Sequence, residues 1–152
     1  MKQERSRAIA RILVVDDDED VREVICSILS DDGHAAQAAA NGVEALGLLN
    51  RRSYDLIVSD LKMPALNGPG LYREVLRRWP NHHPQVLFVS GFADTAAYAH
   101  FLNGVHVPVM CKPFKPEHLV ETIRRMLDEH EAANRGCGRG ELVPGTTFVP
   151  VP

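Results

Sequence analysis

Five polar residues would do chemistry together if a fold gathered them. They are the pair Asp16 and Asp17, the single Asp60, the hydroxyl of Ser90 and the ammonium of Lys112. Three or more carboxylates in one pocket repel, so the cluster must take up protons or bind a cation. Oxygen-only ligands select a hard ion, and Mg²⁺ keeps several waters while taking one or two carboxylates plus a phosphate. On this reading Asp17 and Asp60 hold Mg²⁺ directly and Asp16 helps through water. A carboxylate is also a competent nucleophile for phosphoryl transfer, giving an aspartyl phosphate. Such chemistry needs positioning and charge neutralisation more than covalent help. Lys112 supplies a second positive charge, and Ser90 a donor to a phosphoryl oxygen.

The elements that must position these groups are legible as apolar runs. Asp16 follows Ile12–Val15, Asp60 follows Leu56–Ser59, Ser90 follows Val86–Val89 and Lys112 follows Val107–Cys111; His34–Ala39 is a fifth, weaker strand, poor in β-branched residues. Helical spacing fills the gaps. Val21–Leu29 is followed by Val43, Leu46, Leu48 and Leu49 after Asn41-Gly42, then by Leu71, Val75, Leu76 and Trp79 before Pro80. A short helix over Thr95–Leu102 ends at Asn103-Gly104, and a last one carries Leu119, Ile123, Met126 and Leu127 behind Pro116 and Glu117. Strand starts near 12, 35, 56, 86 and 107 are spaced like βα units. Five such units predict an α/β fold, a parallel sheet with helices on both faces. Right-handed crossovers then put every β-to-α loop on one edge, at the carboxyl ends of the strands. A lone acidic run before a helix is usually a set of caps and dipole partners, and Asp18, Glu19 and Asp20 read that way. The conjunction of acid pair, single acid, hydroxyl and ammonium, each after its own strand, does not.

At 152 residues, 45% apolar and 24% charged, the chain is one ordinary globular domain. No apolar run approaches the about 20 residues that span a membrane, and no signal-peptide core follows the basic start. Cysteines at 26, 111 and 137 make neither a disulfide framework nor a zinc site, which favours a reducing, cytoplasmic setting. Residues 1–11 carry a net charge of +3, residues 12–130 one of −6, and residues 131–152 none. The acidic body disfavours direct nucleic-acid binding. Residues 1–10 read as a solvated basic arm, residues 11–131 as the domain, and the Gly/Pro-rich stretch 132–152 as a disordered tail. His82-His83, between Pro80 and Pro84, reads as an exposed loop rather than a metal site, and Cys111 as an inert residue in a buried strand.

Four pieces resemble the receiver domain of two-component response regulators, over about residues 10–130. They are Ile12-Leu-Val-Val-Asp-Asp-Asp18, Asp55-Leu-Ile-Val-Ser-Asp-Leu-Lys-Met-Pro64 with Gly68 after it, Val89-Ser-Gly91 and Cys111-Lys-Pro-Phe114. The Ser90-Gly91-Phe92 wording looks most like single-domain regulators or receivers linked to hybrid histidine kinases. The resemblance implies a flavodoxin-like doubly wound sheet with strand order 2-1-3-4-5. It implies Asp60 as phospho-acceptor and Asp16 and Asp17 as the acidic pair, with Asp17 a direct Mg²⁺ ligand. The backbone carbonyl of Lys62 is implied as a further ligand, Ser90 as the switch hydroxyl and Lys112 as the phosphoryl contact. Lys112-Pro113 is implied to be a cis peptide. The implied function is phosphorelay signal transduction, with self-phosphorylation and slow self-hydrolysis rather than turnover of a substrate. The donor would be a histidine kinase or histidine phosphotransfer protein, the output a protein partner, and the receiver a monomer or weak homodimer.

Two departures from the family pattern matter. Val109 stands where the family often has an aromatic residue on the fifth strand, so the usual signalling face of fourth helix, fifth strand and fifth helix is expected to respond less. Lys62 and Phe92 occupy positions that govern water access to the phosphoryl group, and are expected to slow hydrolysis. Two competing readings remain: a degenerate receiver that binds a partner without phosphate, and a haloacid-dehalogenase-like phosphatase, which Asp16-x-Asp18 would open. The second expects Thr or Val where Asp20 stands. No glycine-rich nucleotide fingerprint follows the first strand.

Overall fold

The computed structural model describes residues 9–136, with side chains to residue 130. The expected arm and tail therefore lie outside the described residues, apart from Ile9 and Ala10 and the segment 132–136. Strands and helices alternate: β1 (Arg11–Val15), α1 (Glu19–Asp31), β2 (Ala35–Ala39), α2 (Gly42–Arg51), β3 (Leu56–Ser59), α3 (Gly68–Arg78), β4 (Gln85–Gly91), α4 (Phe92–Ala97), α5 (Ala99–Asn103), β5 (Val109–Lys112) and α6 (Pro116–Gly136). The last helix thus runs through Gly136, into the stretch expected to be tail.

All strand pairs are parallel, in the order β2-β1-β3-β4-β5. This is the expected doubly wound sheet. Burial on both faces explains the continuous apolar strands. Ile12, Val14, Leu56, Val58, Leu87, Val89 and Met110 face a core layer completed by Ile25 and Leu29 of α1 and Leu119, Ile123 and Met126 of α6. Leu13, Val15, Ile57, Val86, Phe88 and Val109 face the opposite layer, closed by Leu46 and Leu49 of α2, Leu71 and Val75 of α3 and the half-buried Phe101 and Leu102 of α5.

Side-chain caps set where the helices begin, and so where the loops at the carboxyl edge end. Asp18 Oδ1 accepts from the backbone N–H of Asp20 at 2.9 Å, Asn41 Oδ1 from Glu44 at 2.9 Å and Asn67 Oδ1 from Gly70 at 2.9 Å. The Asp18 cap is the role expected for it. At the other end of α1, Gly33 takes φ 91° while the N–H groups of Gly33 and His34 donate back to Ser30 and Leu29. That left-handed turn is open to glycine at little cost.

Three boundaries differ from expectation. Strand β4 runs on through Ser90 and Gly91, because both pair with β5, opposite Cys111 and Lys112. Strand β5 starts at Val109 rather than Val107; Pro108 lacks an N–H and joins only through its carbonyl, which accepts from Phe88 at 3.1 Å. The single helix expected over 95–102 is two short helices broken at Tyr98 (φ −101°, ψ 19°). Neither has a side-chain cap at its start, and neither buries any residue completely. With so little holding each turn, the segment does not sustain one continuous helix.

Candidate functional site

Each strand delivers its last residues to the same edge. The N–H of Asp60 donates to the Val15 carbonyl at 3.0 Å and that of Asp16 to the Ala39 carbonyl at 3.2 Å, so the sheet ladder continues past the strand ends and fixes both carboxylates. Asp16, Asp60 and Ser90 are buried at 2%, 7% and 0% exposure, while Asp17 is exposed.

The five expected residues converge. Lys112 Nζ lies 3.0 Å from Asp16 Oδ2 and 3.3 Å from Asp60 Oδ2, bridging carboxylates from two different strands. The Ser90 hydroxyl donates to Asp60 Oδ1 at 2.6 Å, and the Leu61 N–H donates to the same oxygen at 2.7 Å. Asp16 Oδ1 accepts from the Asp18 N–H at 2.9 Å. Asp60 Oδ1 therefore has two donors, whereas Oδ2 faces the ammonium. Carboxylate oxygens of Asp16, Asp17 and Asp60 all lie within 4.8 Å of one another. Three hard oxygens at that separation, two buried and one open to solvent, fit a hexahydrated cation that exchanges some waters for carboxylates. Lys62 is exposed in the loop two residues beyond Asp60, and Phe92, at 78% exposure, stands just past the end of β4.

The electrostatics follow from burial. Burial pushes the Asp16 carboxyl above the usual value of 3.8, against the pull of the Asp18 N–H and of Lys112, and the neighbouring Asp60 pushes the same way. For Lys112 burial is also the largest single influence and disfavours the charge. The hydrogen bond to Asp16 and the fields of Asp60 and Asp16 together outweigh it, so its pKa rises above 10.5. The ammonium is thus held charged by the carboxylates it bridges.

Backbone packing keeps Asp60 in register with α3. The Gly68 N–H donates to the Leu61 carbonyl at 2.8 Å. A Cβ on Gly68 would lie 2.6 Å from the Asp60 carbonyl oxygen and 2.9 Å from Phe88 Cε1. The start of α3 touches the backbone of Asp60, and only glycine permits that approach.

One contributor escaped the sequence. Arg22 donates from Nη1 to the Asp16 carbonyl at 2.8 Å. Its signal was helical phase: it sits four residues after the Asp18 cap, on the turn that faces back over the acidic loop. Cys111 differs from expectation in being half-buried, because β5 is an edge strand; its Sγ lies 3.8 Å from the Thr95 hydroxyl. His82 is exposed, as expected, and His83 half-buried. The Lys112-Pro113 bond is cis. Among the described residues no helix is long and apolar enough to cross a membrane.

The model of the response regulator receiver domain matches residues 12–124. A sensor kinase, CckA of Brucella abortus, is 32% identical over 126 residues, covering 80% of this chain and 13% of the kinase. The C4-dicarboxylate transport transcriptional regulatory protein DctD of Rhizobium meliloti is 29% identical over 118 residues, covering 78% of this chain and 25% of the regulator. The chain spans half or less of the length of these curated relatives. Among solved structures, a receiver domain protein of Methanospirillum hungatei superposes with TM-score 0.73 at 29% identity, covering 83% of this chain and 99% of that one. NtrX of Brucella abortus superposes with TM-score 0.78 at 28% identity, covering 91% of this chain and 32% of that one. With the family model matching residues 12–124, from the second residue of β1 into α6, this chain belongs to the receiver domain family of two-component response regulators.

Proposed function

We propose that this receiver accepts a phosphoryl group on Asp60 from a phosphohistidine and relays the change to a protein partner. The observation that carries the reading is the meeting of Asp16, Asp60, Ser90 and Lys112 within hydrogen-bond distance, from four different strands. Asp60 Oδ2, the oxygen not held by Ser90 and Leu61, attacks phosphorus. The N–P bond breaks as the O–P bond forms, and the bonding pair stays on the imidazole. A proton on the other ring nitrogen makes that leaving group neutral.

The residues divide the remaining work. Lys112 turns from the carboxylate pair to the phosphoryl oxygens, and the Ser90 hydroxyl exchanges its carboxylate acceptor for one of those oxygens. Asp16, Asp17, Asp60 and the Lys62 carbonyl would hold Mg²⁺, which when bound neutralises charge on the transferring group. Arg22, donating to the Asp16 carbonyl, keeps the acidic loop folded over the site. The phosphoryl group leaves by hydrolysis within the same pocket, with Lys62 and Phe92 limiting the approach of water. On this reading the protein is a switch and not a turnover enzyme. It works in the cytoplasm with a histidine kinase or phosphotransfer protein as donor, without binding nucleic acid or membrane itself, as a monomer or weak homodimer.

The test is incubation with Mg²⁺ and acetyl phosphate, read by intact mass. The wild type gains one phosphoryl group and Asp60→Asn gains none. An unmodified wild type would instead favour a receiver that binds its partner without phosphate.

A further inference from the structure

Phe88 stands two residues before Ser90 on β4, and its ring is fully buried. Its cross-strand neighbour on β5 is Val109, the small residue at the position expected to carry an aromatic switch. The rings that do meet Phe88 come from helices. Phe101 of α5 lies 5.8 Å away at 79° and Tyr72 of α3 lies 6.3 Å away at 60°. Tyr72 and Phe101 meet each other at 5.9 Å and 77°, closing a triangle of edge-to-face contacts. The guanidinium of Arg73 caps Phe101 at 5.6 Å from the ring centre. The Phe88 ring also packs close to Gly68, where even a Cβ would approach Cε1 to 2.9 Å.

A close-packed interior does not absorb a displaced ring; it passes the displacement on. Of the elements touching Phe88, the segment 92–103 is the least anchored. It is two short helices with no capped start and no fully buried residue, attached to this core layer by the half-buried Tyr98, Phe101 and Leu102. We infer that the Phe88–Phe101–Tyr72 triangle, latched by Arg73, couples the state of the Asp60–Ser90 pair to the position of α4 and α5, taking the place of an aromatic residue on β5. The inference rests on Asp60 being the phosphoryl acceptor. When Ser90 follows a phosphoryl oxygen, the end of β4 moves, Phe88 turns against Phe101, and α5 leaves the Arg73 latch.

The test adds Mg²⁺ and beryllofluoride, a phosphoryl mimic, to the full chain and follows backbone amide shifts at two places, Asp60 to Ser90 and Ala99 to Asn103. In the wild type both sets move together. In Phe101→Leu the first set moves as in wild type, while the response of the second falls by roughly five- to a hundredfold, the equilibrium shift expected for losing two edge-to-face pairs. Phe101→Tyr keeps the ring and restores it. Should Phe101→Leu not fold, Tyr72→Leu with Tyr72→Phe as its rescue makes the same comparison. Leucine variants whose second set responds like wild type would overturn the coupling while leaving the phospho-acceptor reading intact. A wild type in which neither set moves would overturn both.

Discussion

The Ser90 hydroxyl already donates to the Asp60 carboxylate, at 2.6 Å, on a side chain with no solvent exposure. On the proposed function, the Ser90 hydroxyl therefore starts from a contact with the carboxylate that would carry the phosphoryl group and changes one acceptor oxygen for a neighbouring one. A hydrogen bond to a charged group nets about 1.5–3 kcal/mol, a shift of roughly ten- to a hundredfold in a two-state equilibrium.

From this, Ser90→Ala is expected to accept phosphate from acetyl phosphate nearly as wild type but to populate the switched state roughly ten- to a hundredfold less. Amide shifts at α5 in the phosphorylated protein measure that population. Full switching without the hydroxyl would remove Ser90 from the mechanism.

Asp16 gives a pH signature. Burial raises its folded pKa above 3.8, so ionising it costs folding free energy. A raised folded pKa means a stabilising contribution that is complete below 3.8 and lost as pH rises through the folded value. In metal-free buffer, thermal stability of wild type relative to Asp16→Asn should therefore decline across that window and then level off. A difference that grows with pH would contradict the direction of the shift. Saturating Mg²⁺ is expected to reverse the decline, because the cation binds the ionised form of the folded state alone.

Gly68→Ala forces its new methyl against the Asp60 carbonyl and the Phe88 ring. Overpacking of this kind costs about 1–3 kcal/mol. Chemical denaturation should register that loss, and the phosphorylation rate should fall with it, since the displaced backbone is that of Asp60, the proposed acceptor. Unchanged stability together with an unchanged rate would mean that the helix start gives way without moving Asp60.

Lys62 and Phe92 are both exposed, two residues beyond Asp60 and two beyond Ser90 in the chain. Lys62→Asn with Phe92→Ala removes bulk and charge from the approach to the phosphoryl group, and is expected to shorten its lifetime. Following loss of the phosphoryl adduct by mass over time decides the matter, and an unaltered half-life would dismiss both side chains as barriers.

Much of this molecule is written locally. The apolar runs ending at Val15, Ser59 and Val89 are buried on both faces, so their composition alone identifies interior parallel strands. Asp18, Asn41 and Asn67 cap helices through hydrogen bonds to N–H groups two or three residues on, and such short-range bonds are readable from residue order. The residues of the candidate site were read from the same source: Asp16, Asp60, Ser90 and Lys112 each follow an apolar run, and Asp17 comes directly after the first of them. What residue order could not supply was everything made by contact across the sheet. The division of Asp60 between Ser90 and Lys112, the Arg22 bond to Asp16, the break at Tyr98 and the triangle of Phe88, Tyr72 and Phe101 depend on helix phase and on how tightly neighbouring elements approach. Those are properties of close packing between groups far apart in the chain, and no local pattern encodes them.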